Sequence, residues 1–212
     1  MFVVCAMMCY KFPRIPLRLL SLVLFRSFYR TRVSGVANIP ERGGALRAPN
    51  HQSYVDALIL SSVTDRPIRF VMSEMMYRTW FIYPFARLTR SIPIENNQTP
   101  RQLIESLREA EQEIRRGGLV CLFPEGQLTR TGVLMPFRRG VERIMRGLAE
   151  PIIPIAIDGA YDTGLSLRTG RVHLGASMPW RRMAINVVVG APLPSDTQPP
   201  EIRTHVSNLI TD

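Results

Sequence analysis

Lysine is almost missing from this chain. Lys11 is the sole example among 27 lysines and arginines, which leaves 26 arginines to carry the positive charge. Cysteine is scarce as well: Cys5, Cys9 and Cys121 are odd in number and lack the paired spacing of metal ligands. A secreted disulfide framework and a zinc site are therefore disfavoured, and a reducing, cytoplasmic setting is expected. No uncharged apolar run approaches the ~18 to 20 residues that a membrane-spanning helix needs, because Pro13, Pro16 and several arginines interrupt the N-terminal stretch. A signal peptide is set aside on the order of its parts, since the positive charges follow the apolar residues MFVVCAMMCYKF and no small-residue cleavage site comes after them. Two catalytic signatures are missing too, the G-x-S-x-G of serine hydrolases and the G-x-x-x-x-G-K of phosphate-binding loops. There is no internal repeat, which excludes solenoids and arrays.

What is present is a chain of 212 residues, 46% of them hydrophobic, enough for one globular domain with its own core. The formal net charge is +10. Arginine grips phosphate bidentately. An anionic partner is therefore expected, either nucleic acid or a phospholipid surface, although arginines scattered over a solvated surface would give the same count. The first 40 residues hold Lys11, Arg14, Arg18, Arg26, Arg30 and Arg32 and no acidic residue. Drawn as a helix, Ile15 to Tyr29 aligns Leu17, Leu20, Leu24 and Phe28, with Arg14, Arg18, Arg26 and Arg30 on the opposite arc. That pattern suits a helix lying on a membrane, or equally one capping the domain's own core. The expected division is an amphipathic segment over residues 1–32 and a main domain over residues 33–212.

Along the main domain, strand-like and helix-like stretches alternate between Pro and Gly punctuation, which predicts a single α/β domain whose mostly parallel central sheet is flanked by helices. Strands are expected at Gly43 to Ala48, Ile68 to Met72, Ser91 to Ile94, Leu119 to Phe123, Ile152 to Ile157, Arg171 to Leu174 and Ala184 to Gly190. Helices are expected at Asp56 to Val63, at Met75 to Leu88, from about Gly140, and after the Pro-rich stretch ending at Pro200. Thr99 to Arg116 carries the fullest set of helix signals: Thr99 as N-cap, Pro100 at the first helical position, Leu103, Leu107, Ala110 and Ile114 on one face, and Gly117 at the end.

Two polar features sit at the edges of these elements. In PNHQSYVDALIL, His51 and Asp56 can meet only if His51 lies in the turn before the helix that Asp56 begins. An imidazole held by a carboxylate has a fixed tautomer and added basicity, as a general base requires. A helix-capping aspartate beside a turn histidine fits the same residues. In FPEGQLTRTG, Pro124 and Gly126 bracket Glu125 in a turn at a strand end, where a carboxylate can face a ligand or bond a nearby helix terminus. His173 and His205 lack a partner at useful spacing and are expected to be structural or exposed.

Asn50, His51 and Asp56 match the N-H-x-x-x-x-D motif of the glycerolipid acyltransferases, and Phe123, Pro124, Glu125 and Gly126 match that family's F-P-E-G motif. Ser91 to Glu95 and the stretch around Pro154 resemble its other two motifs, in the same order. The chain thus resembles the 1-acylglycerol-3-phosphate acyltransferase family over most of residues 33 to 192. FPEGQLTRTG resembles in particular the acyltransferase part of bacterial 2-acylglycerophosphoethanolamine acyltransferases.

The resemblance implies that residues 33–212 are a glycerolipid acyltransferase domain. In it His51, held by Asp56, takes a proton from a hydroxyl that attacks the thioester of acyl-CoA or acyl-ACP, without a cofactor, a metal or a covalent acyl-enzyme. It implies that Asn50, Pro124, Glu125 and Gly126 help to hold the acceptor. Arg130 and Arg139, close by in sequence, are added as candidates for the acceptor's phosphate. A peripheral or monotopic protein on the cytoplasmic face of the inner membrane is the corresponding location.

Two residues depart from the family pattern. Arg47 occupies a strand position usually apolar, and is expected either at a sheet edge or lining the site. Glu95 is followed by Asn96 and not by the usual arginine, which favours a lysophospholipid diester acceptor over a phosphate monoester. A catalytically inactive lipid-binding relative remains an alternative. A nucleic-acid-binding module is a weaker one, because basic residues interleaved with aromatics are lacking.

Overall fold

The computed structural model describes residues 29–80, 82–94, 99–161, 167–168, 171–172 and 183–211. Within them β1 (Tyr29–Ser34), β2 (Ala45–Pro49), β3 (Ile68–Ser73), β4 (Ile92–Ile94), β5 (Leu119–Leu122), β6 (Ile152–Asp158) and β9 (Met183–Val189) form a seven-stranded sheet in the order β1-β9-β6-β2-β5-β3-β4. Strands β7 (Leu167–Arg168) and β8 (Arg171–Val172) form a separate antiparallel pair. Every pairing in the large sheet is parallel except β6 with β9.

Helices cover both faces, as parallel strands buried on both sides require. On one face α1 (Asp56–Val63) lays Ile59, Leu60 and Val63 against Ala45, Phe70, Cys121, Ile153 and Ile155. On the other, α4 (Pro100–Arg115), α5 (Gly140–Met145) and α6 (Pro199–Thr211) bring Leu107, Ile114, Ile144, Ile202 and Val206 against Leu46, Ala48, Val120 and Ile152. The stripe read along α4 is its buried face. Thr99 closes a capping box there: its side chain accepts from the Gln102 amide, and its own amide donates to the Gln102 side chain.

Two local expectations are corrected. The single helix expected over Met75 to Leu88 is two, α2 (Glu74–Arg78) and α3 (Tyr83–Leu88). Pro84 is the cause: in one continuous helix its ring would meet the Trp80 carbonyl and supply no amide, so it sits instead in the first turn of the second helix. The sheet begins at Tyr29, so Tyr29 to Arg32, expected in the amphipathic segment, pair in parallel with β9. Residues 1–28, which carry the rest of that segment, lie outside the described residues, as do Glu95, Asn96 and His173. No helix among the described residues is long and apolar enough to cross a membrane.

Candidate active site

The parallel strands β2, β5, β3 and β6 all deliver their carboxyl ends to one edge of the sheet, where open α/β folds bind ligands. From β2 the chain runs straight into Asn50 and His51; from β5 it runs into Phe123, Pro124 and Glu125. The two motifs of the sequence, about seventy residues apart, therefore meet because β2 and β5 are neighbours in register, Ala45 with Leu119 and Arg47 with Cys121.

His51 Nδ1 lies 2.9 Å from Asp56 Oδ2. The same oxygen accepts the backbone amides of Gln52 at 2.7 Å and Ser53 at 2.9 Å. Asp56 opens α1 and is fully buried, so these three donors hold one oxygen of a carboxylate shielded from bulk solvent. Its engagement leaves Nε2 as the nitrogen that can meet a substrate. The imidazole is 21% exposed and stacks on Phe123, ring centroids 3.8 Å apart and planes 20° from parallel. Phe123 belonged to the recognised motif but had no role in the sequence reading; here it is the floor on which the imidazole rests.

Glu125 turns out to be a strut. It is 2% exposed, and its oxygens accept the amides of His51 at 2.6 Å and Met135 at 2.9 Å. Burial pushes its carboxyl up from the ordinary range, more than the two amide bonds pull it down. A carboxylate so engaged holds the His51 backbone in place. Asn50 is likewise engaged by the fold. Its buried amide group donates to the Ile157 carbonyl at 2.9 Å and accepts the Ile157 amide at 2.7 Å, which ties the turn to β6. Pro124 is buried, and its carbonyl accepts the Arg138 amide at 2.8 Å.

Gly126 is exposed at the tip of this turn with φ 69°, and a Cβ there would come within 2.9 Å of the Arg138 guanidinium. Arg138 therefore lies over the turn next to the dyad. The candidate named from sequence, Arg139, is directed elsewhere: it is exposed and pairs with Glu142 at 2.9 Å. Arg130 is exposed on the loop after the turn, where its carbonyl accepts the Tyr161 hydroxyl at 2.7 Å. That loop is pinned by the Glu125 bond to Met135 and by Arg203 of α6, which donates to the Leu134 and Met135 carbonyls. Adjacent arginines cannot be told apart by composition. The glycine at position 126, which leaves room for one of them, is the signal that points to Arg138.

Two further residues under the site are set by the core. Cys121 is fully buried and its thiol is pushed up to about 12, chiefly by burial, so it is no nucleophile. Arg47 is neither at a sheet edge nor lining the site, the two places expected for it. Its strand has neighbours on both sides and its side chain is fully buried under α1.

Fold and edge together define a class, an α/β domain of the acyltransferase type. A family model described as Acyltransferase matches residues 30–158, more than half of the chain, and the chain belongs to that family. It is similar to a chloroplastic 1-acyl-sn-glycerol-3-phosphate acyltransferase of Brassica napus, 26% identical over 161 residues that make up 76% of this chain and 45% of the relative. It is also similar to a probable 1-acyl-sn-glycerol-3-phosphate acyltransferase of Mycoplasma pneumoniae, 28% identical over 148 residues, 68% of this chain and 54% of the relative. The chain spans about half the length of these curated relatives. The crystal structure of the 1-acyl-sn-glycerophosphate acyltransferase of Thermotoga maritima shares the fold, with a TM-score of 0.70 over 93% of this chain and 76% of that one at 19% identity.

Proposed function

We propose that the chain moves a fatty acyl group from acyl-CoA or acyl-ACP to the free hydroxyl of 1-acylglycerol-3-phosphate at a membrane surface. The observation that carries this reading is the His51–Asp56 pair, 2.9 Å between Nδ1 and Oδ2, on the carboxyl edge of the sheet. The acceptor's O–H proton passes to His51 Nε2 as its oxygen attacks the thioester carbonyl carbon. The C–S bond then breaks, and the proton on His51 passes to the departing sulfur. Asp56 fixes the tautomer and balances the imidazolium. Because thioesters are already activated, aligning two substrates beside one base can supply much of the acceleration, ~7 kcal/mol or more from proximity alone.

The named activity of the relatives favours a phosphate monoester acceptor over the diester that Asn96 had suggested. A monoester rewards a bidentate guanidinium. Arg138, beside Gly126, is the candidate ligand. Arg138→Ala is expected to raise KM for 1-acylglycerol-3-phosphate about tenfold, roughly 1.4 kcal/mol, with KM for the acyl donor little changed. Arg139→Ala is expected to leave both within about twofold, since its partner Glu142 and its exposure turn it to solvent. Steady-state kinetics of the two variants, with 1-acylglycerol-3-phosphate and a lysophospholipid as rival acceptors, tests both the arginine and the acceptor class.

Membrane contact is supported by an apolar patch at the same edge. Met75 and Trp80, 74% and 84% exposed, follow the carboxyl end of β3, with Tyr83 next to them. Tryptophan and tyrosine are side chains that favour the bilayer interface. The basic N-terminal residues add charge. Deleting residues 1–28, which removes Lys11, Arg14, Arg18 and Arg26 but spares β1, is expected to reduce sedimentation with anionic vesicles. Added salt should weaken binding of the full chain. Equal pelleting of the truncated and full chains would refute the N-terminal contribution.

A further inference from the structure

We infer that Arg47 is a positioning residue of the dyad, a buried cation whose field acts on the Asp56 carboxylate and, through it, on His51. The kinetic part of this inference rests on the proposed acyl transfer; the electrostatic part rests on the placement of the two charges.

Arg47 sits in the middle strand β2, across from Cys121 on β5 and Ile153 on β6, and is 0% exposed. Its guanidinium makes one long hydrogen bond, from Nη1 to the Leu60 carbonyl at 3.4 Å, and Nε and Nη2 find no partner among the described residues. Burial lowers its pKa to about 10, which still leaves it charged at neutral pH. The fold does not ask for such a group. The slot lies among Ala45, Leu60, Cys121 and Ile153, where an apolar side chain of similar volume would pack without a desolvated charge.

The helix that Arg47 touches also carries Asp56. It precedes Leu60 by four residues, about one helical turn, and so shares the face of α1 that Arg47 touches. Asp56 is also 0% exposed, and its Oδ1 finds no partner among the described residues. Cys121 is reached by both charges: that of Arg47 favours its thiolate and that of Asp56 opposes it. The charged and titratable groups around this compartment are therefore Cys121 from β5, Asp56 from α1, and His51 and Glu125 from the two turns above.

The chemistry explains why a cation there is useful. A buried carboxylate alone would hold a proton on the adjacent imidazole, and an imidazole already protonated cannot accept the acceptor's proton. A fixed positive charge about one helical turn away opposes that hold by repelling the imidazole's proton.

The test uses Arg47→Met and Arg47→Lys in the full chain. Arg47→Met is expected to melt at or above the parent's temperature, because a poorly paired buried charge has been replaced by an apolar side chain. Its kcat near neutral pH should fall ~10-fold or more, with both KM values little changed, and the acid limb of its rate profile should move up by about half a unit or more. Arg47→Lys should restore most of the rate. Melting several degrees lower with an unchanged rate profile would make Arg47 a strut for α1 and overturn the inference, as would an Arg47→Met kcat within about twofold of the parent. NMR titration of the His51 ring, assigned among the three histidines with His51→Ala, reads the same effect without substrate. Should the parent transfer no acyl group, the acyl-transfer reading fails, and the ring titration still decides: a midpoint moved to higher pH in Arg47→Met supports the electrostatic role, and an unmoved one refutes it.

Discussion

His51→Ala is expected to lower acyl-transfer turnover by ~10² to 10⁴-fold, the range for a lost general base, while the protein remains folded. The fold should survive because the imidazole is partly exposed at a turn, and alanine keeps the backbone bonds of residue 51 that help anchor this turn, its amide to Glu125 and its carbonyl to the Thr129 amide. Asp56→Asn should be severely impaired as well. One oxygen of Asp56 accepts three donors, His51 Nδ1 and the amides of Gln52 and Ser53. An asparagine amide facing that cluster would oppose donors with donors, and one turned the other way would set its NH₂ in the buried place of Oδ1. Steady-state turnover with a circular dichroism melt of each variant checks both points. A His51→Ala enzyme within about tenfold of the parent would exclude the dyad as the base.

The second large effect is expected at Glu125, for a different reason. Glu125→Ala would leave the amides of His51 and Met135 buried without acceptors, at about 1–3 kcal/mol each. Because His51 would lose its backbone anchor, kcat should fall as steeply as stability does. Glu125→Gln keeps the shape but turns an NH₂ group toward one of the two amides, so it should be intermediate. The pH dependence has a definite sign. Burial holds the folded-state pKa of Glu125 above its unfolded value, so the stability it contributes is complete below the unfolded value, about 4.3, and is lost as pH rises through the folded one. The stability difference between parent and Glu125→Gln should therefore shrink as pH rises from about 4 toward 8. Urea midpoints across that range measure it, and a difference that grows with pH would contradict the assignment.

The elements legible in the sequence are those written in local rules. Thr99, Pro100 and Gly117 bound α4 because caps and first-turn prolines act over three or four residues, and α1 spans Asp56–Val63 as read. The local spacing allowed His51 to meet Asp56 but fitted a capping aspartate beside a turn histidine equally, and it was the resemblance to the family motif that singled out the pair whose contact the structure has. Strand β1 was not, because YRTRVS owes its strand state to pairing with Met183–Val188, some 150 residues away. Glu125 and Asn50 were recognised as motif residues, yet their work depends on partners in other strands and loops, Met135 and Ile157, which no local spacing reveals. Arg47 is the clearest case. Only the order of strands makes its position interior, so an arginine that reads as an edge or site residue is in fact buried in the core under α1.

The central claim is acyl transfer, and the most direct measurement is product formation by the purified full chain supplied with an acyl thioester and 1-acylglycerol-3-phosphate. Diacylated phosphate and free thiol are quantified together. The account predicts that thiol appears only when the acceptor is present and in equal amount to the acylated product, and that His51→Ala abolishes both. No transfer to this acceptor or to any lysophospholipid, from either acyl-CoA or acyl-ACP, would contradict it, as would thiol release at the same rate without an acceptor.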